Sequence, residues 1–153
     1  MGGKRVTENE KGDSSSAALT SPLDSLLGYR LRRASMAMMA DLLAAITPLG
    51  LSAGEASFLI LVGANPGCRQ RDVGRTLEIK RANLTPLVTR MKARGLVTDA
   101  PIDGRSRSLT LTKDGNALRD KALARIGAAD RKARKSLAIE EAALIAALRV
   151  IAS

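Results

Sequence analysis

Histidine and tryptophan are missing from this 153-residue chain, and cysteine, tyrosine and phenylalanine occur once each. With Cys68 as its one thiol, a single chain has no ligand set for a structural zinc site of the Cys/His kind. It also has no Ser-His-Asp or Cys-His arrangement for nucleophilic catalysis. No motif supports lysine or carboxylate chemistry instead, so the expectation is a non-enzyme that needs no cofactor or metal. One thiol forms no intrachain disulfide, which fits a reducing compartment. Scarce aromatics argue against a single-strand nucleic-acid binder, because such proteins stack bases on aromatic rings. No apolar run reaches the length of a membrane span. The stretch from Met1 to Pro22 has no apolar core of signal-peptide length, and Val6 stands where the myristoylation pattern wants Ser or Thr. The expectation is a cytoplasmic protein with no membrane partner.

Positive charge is abundant: 25 Lys and Arg against 15 Asp and Glu, a net charge of +10. A surplus of that size points to nucleic acid, an anionic membrane or an acidic partner. Tracking the phosphates of double-stranded DNA requires no aromatics. The length suits one domain with a tail. Residues 1–21 are rich in Gly, Ser and charge without periodicity, and read as a disordered tail.

Helical periodicity begins at Leu23 and continues through Leu27, Leu31, Ala34, Met38, Leu42 and Ala45, until Pro48 and Gly50 stop it. This stripe has nothing of its own to bury against and needs the rest of the domain or another subunit. Ser52 and Glu55 have capping-box spacing and open a second helix that "NPG" ends at Asn65 to Gly67. A short helix from about Gln70 to Leu77 follows, then a turn at Glu78 and Ile79, then a helix from about Lys80 to Arg94 stopped by Gly95. Two helices across a tight turn make a helix-turn-helix. Val73, Leu77, Leu84, Leu87, Val88 and Met91 form its inward set. Lys80, Arg81, Asn83, Thr85, Thr89 and Arg90 lie on the outward face, a set suited to phosphates and base edges. Taken alone, a basic face of this kind is ordinarily just solvated.

The next segment shifts that balance. A strand from Leu96 to about Asp99, a turn at "IDGRSR" and a return strand "SLTLT" form a β-hairpin. A helix-turn-helix followed by a hairpin is a winged helix, with a basic tip placed for a minor groove. Thr112 then caps a helix with Asp114 in its first turn, and a last helix runs from about Glu140 to Ile151.

Gly95-Leu96-Val97, Asp103-x-Arg105, Leu109-x-Leu111-Thr112 and Gly115 together resemble the wing signature of the MarR (multiple antibiotic resistance regulator) family of transcription factors. The resemblance covers Leu23 to the C-terminus. It implies a mainly α fold with a small β-wing, a winged helix-turn-helix in an obligate two-fold homodimer. Residues 22–49 and 113–153 would form the helical dimerisation region, and 50–112 the DNA-binding region. Two-fold symmetry would set the recognition helices about 34–36 Å apart on a pseudo-palindromic operator. By position, Arg81, Ala82, Asn83 and Thr85 fall where relatives contact bases, and Thr89 and Arg90 where they contact phosphate. Asp103 would orient Arg105 into the minor groove, with Arg107 adding a phosphate contact. Two residues depart from the pattern. Asp99 stands where relatives commonly carry a basic residue, and Pro86 lies inside the recognition helix, implying a small kink or a late start.

Relatives often release DNA when a small aromatic or anionic molecule binds beside the dimer helices. Here Tyr29, Arg30, Arg33, Met36, Met39 and Phe58 would supply that site, although apolar helix positions are just as readily core. "LGYRLRRA" resembles the branch governing aromatic-acid catabolism, which implies an anionic aromatic effector or its CoA thioester. Cys68 offers a rival, redox switch, since cations at Arg69 and Arg71 can lower a thiol pKa; a plain structural cysteine is the alternative.

Overall fold

The computed structural model describes residues 19–103 and 106–152, without the side chains of Asp103 and Ser106. Its elements are α1 (Leu27–Ile46), α2 (Ala53–Ala64), β1 (Cys68–Arg69), α3 (Gln70–Thr76), α4 (Arg81–Ala93), β2 (Val97–Asp103), β3 (Ser106–Leu111), α5 (Lys113–Arg134) and α6 (Glu141–Ile151). Among the described residues, no single helix is long and apolar enough to cross a membrane.

Local chemistry sets the boundaries. α1 begins four residues later than its apolar stripe, because Pro22–Ser25 forms a separate 3₁₀ turn. Ser52 and Glu55 form the expected capping box at the start of α2: the Glu55 N–H donates to Ser52 Oγ at 3.3 Å, and the Ser52 N–H donates to Glu55 Oε2 at 2.9 Å. α4 ends in a Schellman motif. Gly95 takes φ 68°, its N–H reaches the Lys92 carbonyl, and the Leu96 N–H reaches the Met91 carbonyl at 3.0 Å. Pro86 does not break α4, which starts one residue after Lys80 and continues through the proline to Ala93. The Thr112 hydroxyl accepts from the Gly115 N–H at 3.0 Å and so caps α5.

The sheet is antiparallel, in the order β1-β3-β2, and it corrects two expectations. β1 pairs Cys68 with Leu109, so the wing has a third strand. β2 continues to Asp103 and β3 starts at Ser106, so Arg107 lies within a strand and not in the turn. In this register Val97, Asp99 and Pro101 share a face with Leu111, Leu109 and Arg107.

Val97, Leu109 and Leu111 place that face against a core built from Phe58, Leu59 and Val62 of α2, Val73 of α3, and Leu84, Leu87, Val88 and Met91 of α4. Leu77 packs at its edge. α5 packs on α1 and α2 and adds Ala122 to this core. The core therefore sits inside the winged helix. α1 contributes only Ile46 to the buried residues and α6 none, so Leu27, Met36 and Ile151 stand more than half exposed.

The wing is joined to α5 at one seam. The Thr112 N–H donates to the Leu96 carbonyl at 3.1 Å, and the Thr112 hydroxyl donates to the Gly95 carbonyl at 2.7 Å. Gly115 crosses this seam so closely that a Cβ would stand 2.0 Å from the Leu96 carbonyl oxygen. Helix propensity alone favours alanine over glycine by about 1 kcal/mol, but here backbone would have to move. Gly115→Ala should lower unfolding free energy in urea by about 1–3 kcal/mol. Gly127→Ala, in the same helix, would place a Cβ no nearer than 3.5 Å to the Arg131 guanidinium; it should be neutral or stabilising by up to about 1 kcal/mol. Equal stability of the two variants would refute the seam.

Candidate nucleic-acid interface

α4 separates its residues cleanly. Leu84, Leu87, Val88 and Met91 are buried, whereas Arg81, Ala82, Asn83, Thr85, Thr89 and Arg90 are exposed, as is Lys80 at the N-cap. The expected contact face is therefore one continuous surface. Thr85 and Thr89 hydroxyls donate to the carbonyls of Arg81 and Thr85, at 3.2 and 3.0 Å. Both hydroxyl oxygens can still accept further bonds.

α3, the start of α4 and β3 enclose a groove of about 750 Å³. Arg69, Arg71, Arg75, Lys80, Arg81 and Arg107 line it, with Glu78 as the one acid. Among the described residues Arg69, Lys80 and Arg81 have no acidic partner, while Asp72 holds Arg75 at 2.6 Å and Arg71 at 3.7 Å. Sequence reasoning missed Arg75 as a site residue, and took Arg69 and Arg71 only as neighbours of Cys68. Arg71 and Arg75 lie four apart on α3, with Val73 and Gly74 turned inward between them. That spacing was the available signal.

The basic residues of the other end of α4 are held by carboxylates. Glu55 Oε1 faces Arg94 Nη1 at 3.4 Å and Arg90 Nε at 3.8 Å. Arg90 keeps more than half of its side chain exposed, so it still presents a cation outward. Asp99 on β2 pairs with both Lys92 and Arg107. Its carboxyl is held below the usual carboxylate range, first by the Lys92 ammonium and then by the Arg107 guanidinium. The residue read as a missing phosphate contact thus acts internally, and Arg107 is tied to it. Arg105, with Gly104, lies outside the described residues, as does the Asp103 side chain.

The expected effector residues do not gather into one cavity. Phe58 is a fully buried core residue, because α2 turns it into the winged helix. Tyr29 is half-buried, Arg33 and Met36 are exposed on α1, and Arg30 folds back on Asp24, donating to its carbonyl at 2.8 Å. The cavity beside α1, about 260 Å³, lies against α5 instead. It contains Met38, Met39 and the carboxylates Asp41 and Asp130, sharing only Met39 with the expected set. Cys68 is half-buried in β1, and burial pushes its thiol pKa up, with Asp72 adding to the rise and the backbone N–H opposing it. A thiol kept protonated is a poor peroxide sensor.

Comparison with known proteins places this geometry. The MarR family model matches residues 49–106, from the end of the first helical segment to the wing. The HTH-type transcriptional repressor Rv2887 of Mycobacterium tuberculosis is 30% identical over 109 residues, 70% of this chain and 78% of the relative. The transcriptional repressor CouR, solved bound to a 23-mer DNA duplex, superposes with a TM-score of 0.79 at 32% identity, covering 90% of this chain and 100% of CouR. CouR bound to p-coumaroyl-CoA gives 0.74 at 30% identity, covering 85% and 94%. With a winged helix of matching topology and a relative at this identity across most of both chains, the protein belongs to the MarR family of winged helix-turn-helix transcriptional regulators.

Proposed function

We propose that the protein is a transcriptional repressor that binds a pseudo-palindromic DNA operator as a homodimer and is released by a small anionic aromatic effector or its CoA thioester. The observation that carries the DNA reading is the cationic groove beside the exposed face of α4. Arg69, Arg71, Arg75 and Lys80 supply charge for phosphates, which gives affinity without sequence choice. Arg81 and Asn83 supply the bidentate donors and acceptors that distinguish base pairs in a major groove. Arg105, carried by the wing, is assigned to the flanking minor groove, where narrow A·T-rich sequence attracts arginine.

The homodimer reading is supported by the apolar residues that α1 and α6 leave exposed, which a second copy would cover. Residues 22–49 and 113–153 are accordingly assigned to dimerisation, and 50–112 to DNA. The effector class follows from the likeness to CouR, whose structures hold DNA in one case and p-coumaroyl-CoA in the other. On this chain Arg33, exposed on α1 near Tyr29, is assigned to the effector's anionic group.

Asn83→Ala should weaken binding to the cognate operator by about 1–3 kcal/mol and leave binding to random duplex nearly unchanged. Arg75→Ala should weaken both about equally and reduce the salt dependence by close to one phosphate contact. Equal affinity of the wild-type chain for operator and random DNA would favour a non-specific architectural binder instead. Titration of the complex with hydroxycinnamates, benzoates and their CoA thioesters should release the DNA with at least one of them. Retention of DNA throughout that series would eliminate the effector class.

A further inference from the structure

We propose that Asp99 is a positioning residue for DNA binding, bracing the recognition helix against the wing through Lys92 and Arg107. This rests on the DNA-binding reading above. Asp99 lies on β2 on the core-facing side of the hairpin, diagonal to Arg107 on β3, and its side chain is only 9% exposed. Lys92 comes from the last turn of α4 and Arg107 from the strand that lines the cationic groove. Three separate elements therefore meet at one carboxylate, and the two cations share its single negative charge.

Position along the hairpin makes the brace necessary. Apolar anchoring ends at Val97, Leu109 and Leu111. Outward of Asp99, Ala100, Pro101 and Ile102 are exposed, and the pairing of β2 with β3 is irregular between Pro101 and Asp103. The outer part of the described hairpin thus has little packing beneath it. Without the carboxylate, Lys92 and Arg107 would face each other as like charges, and repulsion would turn the outer hairpin away from α4. The lowered pKa of the Asp99 carboxyl agrees with a charge held between two cations at neutral pH.

Charge counting and bracing make opposite predictions, so the proposal is testable. Asp99→Asn adds one unit of positive charge near the DNA face, which by charge alone tightens binding. If Asp99 positions the wing, the variant binds about tenfold more weakly in spite of its extra charge. The experiment uses the full chain and a duplex that the wild-type protein recovers from a random-sequence library, read by affinity and hydroxyl-radical footprinting. Asp99→Asn is expected to lose protection of the flanking minor groove and keep the backbone protection at the centre of the site. Asp99→Glu should retain most of both, and Asp120→Asn, remote in sequence and largely exposed, should bind at least as tightly as wild type. Should Asp99→Asn fail to fold, Lys92→Gln removes one leg of the brace from a partly exposed position and should show the same selective loss of flanking protection. Unchanged or tighter binding with an intact footprint in the folded variant would overturn the proposal and leave DNA binding standing. If the wild-type chain recovers no duplex, the DNA-binding reading fails and this proposal with it.

Discussion

The Glu55 carboxylate joins the start of α2 to the end of α4, and the attitude of the recognition helix depends on it. Glu55 is the one charged residue among the described residues that reaches the buried class. A carboxylate so placed must have its lone pairs satisfied. Oε2 accepts from the Ser52 N–H at 2.9 Å, while Oε1 faces Arg94 and Arg90. The cap contributes about 1 kcal/mol to stability. The ion pairs, whose arginines are over a third exposed, add less than about 1 kcal/mol each. Their value is geometric: apolar burial is non-directional, and two arginines on a fixed carboxylate add a directional contact between α2 and α4.

Charge along α4 is divided between two uses. Arg90, Lys92 and Arg94 occupy the last turn and its cap, where cations suit the helix dipole, and Glu55 and Asp99 pair them. Lys80 and Arg81 stand at the other end, where cations oppose the dipole. That end has no acidic residue in its first turn and no side-chain cap. A helix selected for stability alone would carry Ser or Asp there. The departure costs on the order of 1–2 kcal/mol from the missing cap and the unfavourable charges. An anion at this helix end would offset both, since it would meet the unbonded N–H groups and the cations together. Local rules broken at one place, and kept elsewhere in the same helix, are the pattern expected where function and stability compete.

What the sequence made legible was whatever rests on local spacing. Ser52 and Glu55 announced the cap, Gly95 the end of α4, and Leu109 with Leu111 the inward face of the hairpin. Each signal lies within a few residues of its effect. β1 was not legible, because two residues carry no period and Cys68 is a strand only through its pairing with Leu109, forty-one positions on. The Asp99 triad was illegible for the same reason: Lys92 and Arg107 meet it through a helix end and a strand register, neither encoded nearby. Phe58 was read both ways, as an effector contact and as a core residue, and the structure buries it fully. An aromatic ring in a helix this apolar finds its partners in the core. α3's arginines were written openly at positions 71 and 75, but charge spacing alone does not distinguish a groove from a solvated face.

The seam at Gly115 determines how a signal would travel through the proposed repressor. α5 begins where Thr112 is bonded to Gly95 and Leu96, with no room for one methyl group between helix and strand. Contact that close leaves no soft layer to absorb a displacement, so rotation of α5 carries the base of the hairpin with it. Further along, α5 packs on α1 beside the cavity that contains Met38, Met39 and Ile126. Methionines repack at small cost, so this contact would yield more readily than the seam. A ligand or partner helix that alters the α1–α5 contact therefore acts at the compliant end of a lever whose other end is rigid. The wing, and through Asp99 the recognition helix, would turn as one body. Release then requires no unfolding of the DNA-binding region: in a dimer, a change in the angle between two such bodies is enough to lose the operator's half-site spacing.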